Sequence, residues 1–332
     1  MREQTLTFPA LDGRTLSGAL TQPDDEPRGA LVIFSALGVP LRYYARFAAH
    51  LAGRGLAVLR FDYRGVGASR DRPLRRDPAT LQDWARRDAA GAVDLALERF
   101  PGLPIMGLGH SFGGQSFGLN PRARDLDRLV IVAAGSGDLA LYPPDLRRRY
   151  GLMLGGLVPV TAALLGYIPG RLGLGEDLPA GVVTEWARWC QIRGYATGAV
   201  PEEERWYGRI EAPLLFVEAA ADTFAPPEPA AALRSWYTGA TVTHRALAVQ
   251  EVQPSALGHF GVFRAGAEPV WDEIADFLGA PPRARPEDRL ADGRGAGRRG
   301  TVANAPLGST LPYPSPAAAA PARLSGEIQR DL

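Results

Sequence analysis

The chain contains no lysine: all 37 of its basic residues are arginine. That absence removes whole reaction classes. No lysine Schiff base, no pyridoxal-phosphate anchor and no Walker-type phosphate lysine can exist here. Cysteine occurs once, as Cys190, which excludes an intrachain disulfide and a cysteine metal cluster. A reducing, cytoplasmic setting is the expectation on that ground. Net charge is also nearly missing, because 37 basic against 36 acidic residues leave +1. No bulk field then favours nucleic acid or an anionic membrane as partner. Met1-Arg2-Glu3-Gln4 runs straight into alternating residues without an apolar h-region, which predicts no secretory signal. One uncharged stretch, Tyr150 to Gly170, is apolar enough to raise the question of a membrane span. Pro159, Pro169 and its glycines argue against a span, and a span there would divide one sheet across a bilayer. It reads instead as the lining of a cap.

What is present is ample material for a large core: 332 residues, 46% hydrophobic and 22% charged. Thr5–Phe8 and Thr15–Leu20 flank Asp12-Gly13 and predict a β-hairpin. Strands are predicted at Ala30–Phe34, Leu56–Phe61, Leu129–Ala133, Pro213–Glu218 and Thr241–Val249. Helices are predicted near residues 42–53, 81–100, 182–192, 229–237 and 270–278. Strands and helices in alternation imply an α/β fold with a mostly parallel sheet and helices on both faces. The rhythm breaks at residues 135–209, where no good strand is found, and an insertion of that length usually carries function. The expected organisation is a core of residues 1–134 and 210–279, a helical cap of 135–209, and a disordered Arg-, Pro-, Gly- and Ala-rich tail of 280–332.

The run Leu103–Leu119 has the most chemical content. A short apolar strand turns at Gly109-His110-Ser111-Phe112-Gly113 and continues as a helix. That is a G-x-S-x-G signature in strand–turn–helix context, a nucleophile elbow. A serine at so tight a tip has strained backbone angles, and residues two positions away must lack a Cβ. With 39 glycines in the chain, an ordinary glycine-rich turn competes with this reading. A dinucleotide fingerprint beginning at Gly107-Leu108-Gly109 fails, because Phe112 stands where its third glycine would be.

A serine hydroxyl needs a base, and histidine is scarce, with four in the chain. His50 falls on the first helix and His244 inside the last strand. His110 lies in the elbow, with its side chain directed away from the tip. His259, in Leu257-Gly258-His259-Phe260-Gly261, follows the last strand and is the candidate base. The imidazole in turn needs a carboxylate. Asp222, after the strand at Pro213–Glu218, is preferred; Glu218 and Asp138 are rivals. Asp62 is expected to bond loop backbone near Arg64 and Gly65. Oxyanion donors are expected from the backbone N–H groups of Phe112 and Leu37, on position alone. Trp186 and Trp189, with Trp206 and Tyr207, are candidates for lining a substrate pocket or packing the cap core.

With these residues placed, residues 5–278 resemble the α/β-hydrolase superfamily. The likeness is to its serine-aminopeptidase-like branch, which also contains monoacylglycerol-lipase-like esterases, and to a bacterial group of predicted hydrolases of unassigned substrate. It rests on Phe61-Asp62-Tyr63-Arg64-Gly65-Val66-Gly67-Ala68-Ser69, on Gly109–Gly114, on Asp222 with Pro226-Pro227, and on Gly258-His259-Phe260. The resemblance implies the chain order Ser111, Asp222, His259 and cleavage of an ester through an acyl-enzyme, with no cofactor or metal. Many relatives carry His-Gly where this chain has Ser35-Ala36, which predicts a reshaped oxyanion loop. The same machinery serves aminopeptidases, amidases and thioesterases. An aminopeptidase would need acidic cap residues such as Glu185 or Glu202–Glu204 in the pocket. A hydrolase fold used only for binding is a third reading.

Overall fold

Unbroken runs such as Ala30-Leu31-Val32-Ile33-Phe34 can be satisfied only by a strand covered on both faces, and the structure gives them that setting. The computed structural model describes residues 1–279. The expected C-terminal tail, residues 280–332, lies outside the described residues. The strands are β1 (Arg2–Pro9), β2 (Thr15–Gln22), β3 (Ala30–Phe34), β4 (Ala57–Phe61), β5 (Ile105–His110), β6 (Arg128–Val132), β7 (Tyr167–Ile168), β8 (Leu178–Pro179), β9 (Leu214–Glu218) and β10 (Val242–Ala246). Eight of them form one sheet in the order β1-β2-β4-β3-β5-β6-β9-β10. The β1–β2 hairpin is antiparallel and joins β4 antiparallel; every pairing from β4 to β10 is parallel.

Each face of the sheet packs on its own core. One contains Phe34, Phe61, Trp84, Phe112 and Phe117, the other Tyr44, Phe47, Leu108, Phe263 and Trp271. The tyrosine and tryptophan of the first face stack at 4.7 Å (Tyr63 on Trp84). Arg64 is buried among them and held by Asp88 and Asp12 at 2.6 and 2.8 Å. A buried guanidinium without those carboxylates would be strongly destabilising.

From β3 the chain crosses to β4 on one side and then returns to β5 on the other. The carboxyl ends of β3 and β5 therefore flank a switch point, where connections diverge and leave a crevice. Between β6 and β9 the chain leaves the sheet. It forms helices Pro144–Leu152, Val158–Leu165 and Ala180–Cys190 and a small ladder, β7 with β8. That ladder has no counterpart in the expected elements: two residues per strand carry no readable period. The last strand is also shorter than the expected Thr241–Val249, ending at Ala246. The apolar stretch 150–170 divides its faces. Tyr150 and Leu154 are buried, whereas Leu152 and Leu164 are 70% and 78% exposed. Among the described residues no helix is long and apolar enough to cross a membrane.

Candidate active site

Ser111 follows β5 at φ +53°, ψ −114°, an L residue in a conformation that Cβ crowding disfavours. The neighbouring glycines are required by close approach. A Cβ on Gly109 would stand 2.4 Å from the Gly114 nitrogen, and one on Gly113 would stand 1.9 Å from the Phe34 carbonyl oxygen. The helix that follows is short, Phe112–Ser116, and its last carbonyls lack intrahelical partners. Tyrosine hydroxyls supply them. Tyr237 donates to the Gly114 carbonyl at 2.9 Å and Tyr207 to the Gln115 carbonyl at 2.7 Å. Tyr195 donates to the Gln115 side-chain oxygen at 2.9 Å.

His259 and Asp222 come from the loops after β10 and β9. His259 Nδ1 lies 2.8 Å from Asp222 Oδ2, with the two side chains 6% and 2% exposed. The other carboxylate oxygen, Oδ1, accepts the N–H groups of Phe224 and Ala225 at 2.8 and 3.0 Å. The carboxylate is thus an acceptor at both ends, so Nδ1 must donate to it, and in the neutral ring Nε2 is the nitrogen without a proton. The Phe224 ring lies against His259 at 4.9 Å between centroids.

The rival acids are otherwise engaged. Glu218 pairs with Arg234 at 2.6 Å and His244 at 2.8 Å. Asp138 accepts the N–H groups of Ala140 and Gly194 at 2.9 and 2.8 Å, pinning two turns. Asp62 bonds the backbone of its own loop as expected, through the Ala68 N–H at 3.0 Å, and also accepts the Leu41 N–H at 2.7 Å from the loop after β3. The three remaining histidines have structural partners: His50 with Asp272, His244 with Glu218, and His110 with Tyr44 and the His259 carbonyl.

Ser111 and His259 line one cavity of about 60 Å³, together with Leu37, Phe112, Gln115 and Trp186. Leu139, Tyr142, Tyr150, Met153, Leu154 and Cys190, all from the segment between β6 and β9, close it from above. The backbone N–H groups of Leu37 and Phe112 have no acceptor among the described residues. Of the aromatic candidates, Trp186 is on the wall. Trp189 is 1% exposed and packs edge-on against Tyr195, behind the lining. Trp206 meets the guanidinium groups of Arg124 and Arg209 away from the cavity, and Tyr207 bonds the elbow helix from beneath. Burial pushes the Cys190 thiol well up, so it stays protonated and inert. A larger hollow of about 580 Å³ lies by β1 and β2, lined by Thr5, Ser17 and Arg42 and touching neither Ser111 nor His259.

Sequence reasoning missed Phe224, Gln115 and the tyrosines at 44, 142, 150, 195 and 237. Each buried hydroxyl had to find a partner, but which partner depends on contacts far apart in the chain. Tyr142, for example, donates to the Phe224 carbonyl at 2.7 Å.

Residues 25–164 match the family described as serine aminopeptidase, S33. No curated protein matches the chain in sequence. Among solved structures, a soluble variant of monoglyceride lipase from Saccharomyces cerevisiae with a substrate analog is similar. Its TM-score is 0.62 at 12% identity, over 86% of this chain and 97% of that one. A thermostable carboxyl esterase from Bacillus coagulans with glycerol has a TM-score of 0.56 at 16% identity, over 84% of this chain and 98% of that one. Est1E from Butyrivibrio proteoclasticus with ferulic acid has a TM-score of 0.52 at 17% identity, over 82% and 97%. Likeness at these identities concerns the fold.

Proposed function

We propose that this chain, which has the α/β-hydrolase fold, is a serine hydrolase of the branch that includes monoglyceride-lipase-like enzymes and cleaves carboxylic esters with an apolar acyl part. The observation that carries the reading is the meeting of residues from separate loops on one cavity. A strained serine, a histidine whose Nδ1 is held by a buried carboxylate, and two unspent backbone donors border the same space.

In this reading the bare Nε2 of His259 takes the Ser111 proton as Oγ bonds to the ester carbonyl carbon. The carbonyl oxygen becomes an oxyanion, received by the Leu37 and Phe112 N–H groups. The imidazolium, steadied by Asp222, gives its proton to the departing alkoxide as the C–O bond breaks. Water, deprotonated by the same Nε2, then releases the acid and restores the Ser111 hydroxyl.

Residues 135–209 act as a cap whose inner wall sets the substrate. That wall includes Leu139, Met153, Leu154 and Trp186 beside Tyr142, Tyr150 and Cys190, and it contains no carboxylate. The acids an aminopeptidase would use to hold an ammonium are not on it: Glu202 and Glu203 are exposed and away from the cavity. Glu185 accepts the Gln82 side-chain amide at 2.8 Å, and Glu204 pairs with Arg86 at 2.6 Å. An uncharged acyl group fits this wall and a free amino terminus does not. The cavity is also far below the roughly 300–1,000 Å³ of ordinary ligand sites, so a longer acyl chain requires the cap to shift.

The test is a chain-length series of nitrophenyl esters beside aminoacyl anilides, with fluorophosphonate labelling of the purified protein. Esters are expected to turn over faster, and label is expected on Ser111. Ser111→Ala should abolish labelling and lower turnover by about 10³-fold or more. Faster turnover of the anilides, or label that persists in Ser111→Ala, would reject the proposal.

A further inference from the structure

A line of three buried hydrogen bonds joins the loop after β3 to the loop that carries His259. The Ala36 N–H donates to the Tyr44 hydroxyl oxygen at 2.9 Å. The same oxygen lies 2.9 Å from His110 Nδ1. On the far side of that ring, Nε2 lies 3.0 Å from the His259 carbonyl oxygen. Tyr44 and His110 are both 0% exposed, and the rings of Phe260 and Phe263 close on His110 at 5.7 and 4.8 Å. No step of the proposed reaction uses either side chain.

The direction of every proton in this line is fixed by its two ends. A carbonyl can only accept, so His110 Nε2 must bear a hydrogen. Burial pushes the imidazole well below its ordinary pKa and keeps it neutral, which leaves Nδ1 bare. The Tyr44 oxygen already accepts from Ala36, and its own hydrogen points to Nδ1. One tautomer of one neutral ring satisfies all the groups, and the opposite tautomer would set two donors against each other or leave the His259 carbonyl unpaired.

Each attachment is at a working group or beside one. Ala36 precedes Leu37, whose N–H is a proposed oxyanion donor. His110 precedes Ser111, and the far end is the backbone of His259 itself. Tyr43, next to Tyr44, runs a parallel tie to the Phe260 carbonyl at 2.8 Å. We propose that Tyr44 and His110 are positioning residues: a proton-ordered strut that sets the oxyanion loop and the base loop at a fixed distance on either side of the nucleophile. The proposal rests on the reading of Ser111, His259 and Leu37 given above. Displacement of reacting groups by about 1 Å is enough to cost about 10²-fold in rate.

The experiment uses the full chain with a short nitrophenyl ester. Tyr44→Phe keeps the ring and its packing but removes both bonds of the oxygen. His110→Asn keeps an acceptor for Tyr44 and falls short of the His259 carbonyl. Each is expected to lower kcat about 10-fold or more with KM changed less than about threefold. The double variant is expected to be no slower than the slower single one, because a broken strut cannot break again. A kcat within about twofold of the parent for either variant, or losses that multiply in the double, would overturn the strut. A readout that needs no variant is the nitrogen-15 NMR signature of His110 in the parent protein. The Nε2–H tautomer is expected at pH 6, and the Nδ1–H tautomer or an imidazolium there would also overturn it. Fluorophosphonate labelling of the parent separates the two levels. No label on Ser111 removes the active-site reading and the strut together, whereas label on Ser111 with unaffected variants removes the strut alone.

Discussion

Replacing Ser111 by glycine and by alanine gives two proteins that both lack the hydroxyl and differ only in a Cβ. At an ordinary position glycine is the less stable of the two by about 0.5–1 kcal/mol, because it loses more backbone freedom on folding. Position 111 should reverse that order. The native angles are φ +53° and ψ −114°. For an L residue such a conformation costs about 1–3 kcal/mol. Glycine is achiral and finds it as easy as the mirror image, which lies at the edge of the ordinary extended basin. Subtracting the entropic penalty from the relieved strain leaves Ser111→Gly more stable than Ser111→Ala by about 1 kcal/mol, with a range of about 0 to 2.5. The turn itself is fixed from outside. The Ser111 N–H donates to the Val132 carbonyl at 3.0 Å, and Gly113 lies hard against the Phe34 backbone. The chain therefore cannot relax locally to escape the strain. Urea denaturation of the two variants at neutral pH, compared at a shared m-value, reads the difference. If alanine proves the more stable by about 0.5 kcal/mol or more, the turn stores no strain and the elbow argument is wrong. Neither variant should turn over ester, so any gain in stability is obtained at the expense of function.

Other outcomes follow from the same contacts. Asp222→Asn should keep its side-chain oxygen toward the Phe224 and Ala225 N–H groups and turn its amide to His259, which forces the proton onto Nε2 and removes the base. Turnover at neutral pH is then expected to fall about 10⁴-fold, read as kcat on the best ester, with a fall under tenfold counting against Asp222. His110 is held neutral by burial, its pKa well below the ordinary 6.5, with Tyr44 and His259 as the titratable groups facing it. Below that value the unfolded chain binds a proton that the folded one refuses. This contribution to stability is therefore complete above the unfolded pKa and is lost as the pH falls, by up to about 1.4 kcal/mol per unit. Denaturation midpoints from pH 7.5 to 5 should show a shallower loss in His110→Asn than in the parent, and an identical slope would refute the assignment.

Much of the site was legible in the sequence because it depends on local geometry. A glycine on each side of Ser111 is demanded by the turn alone, and the structure sets both within touching distance of backbone. The absence of lysine and the single cysteine limit the chemistry from composition alone. Strands buried on both faces read as apolar runs, so the parallel sheet was readable too. What the sequence left open were choices between groups of equal chemistry. Asp222, Glu218 and Asp138 are all carboxylates near strand ends, and only the folded chain shows that Glu218 and Asp138 are taken by other partners. Trp186 and Trp189 lie three positions apart on one helix, yet the first faces the cavity and the second packs behind it.

The residue types and their spacing determined by themselves that a serine would be strained at the end of a central strand, because steric exclusion acts within a few bonds. Only the tertiary structure decided which imidazole, which carboxylate and which tyrosines would surround it. Hydrogen-bond partners separated by more than a hundred residues, such as His110 and His259, meet through the packing of the whole sheet, and no local preference encodes that meeting.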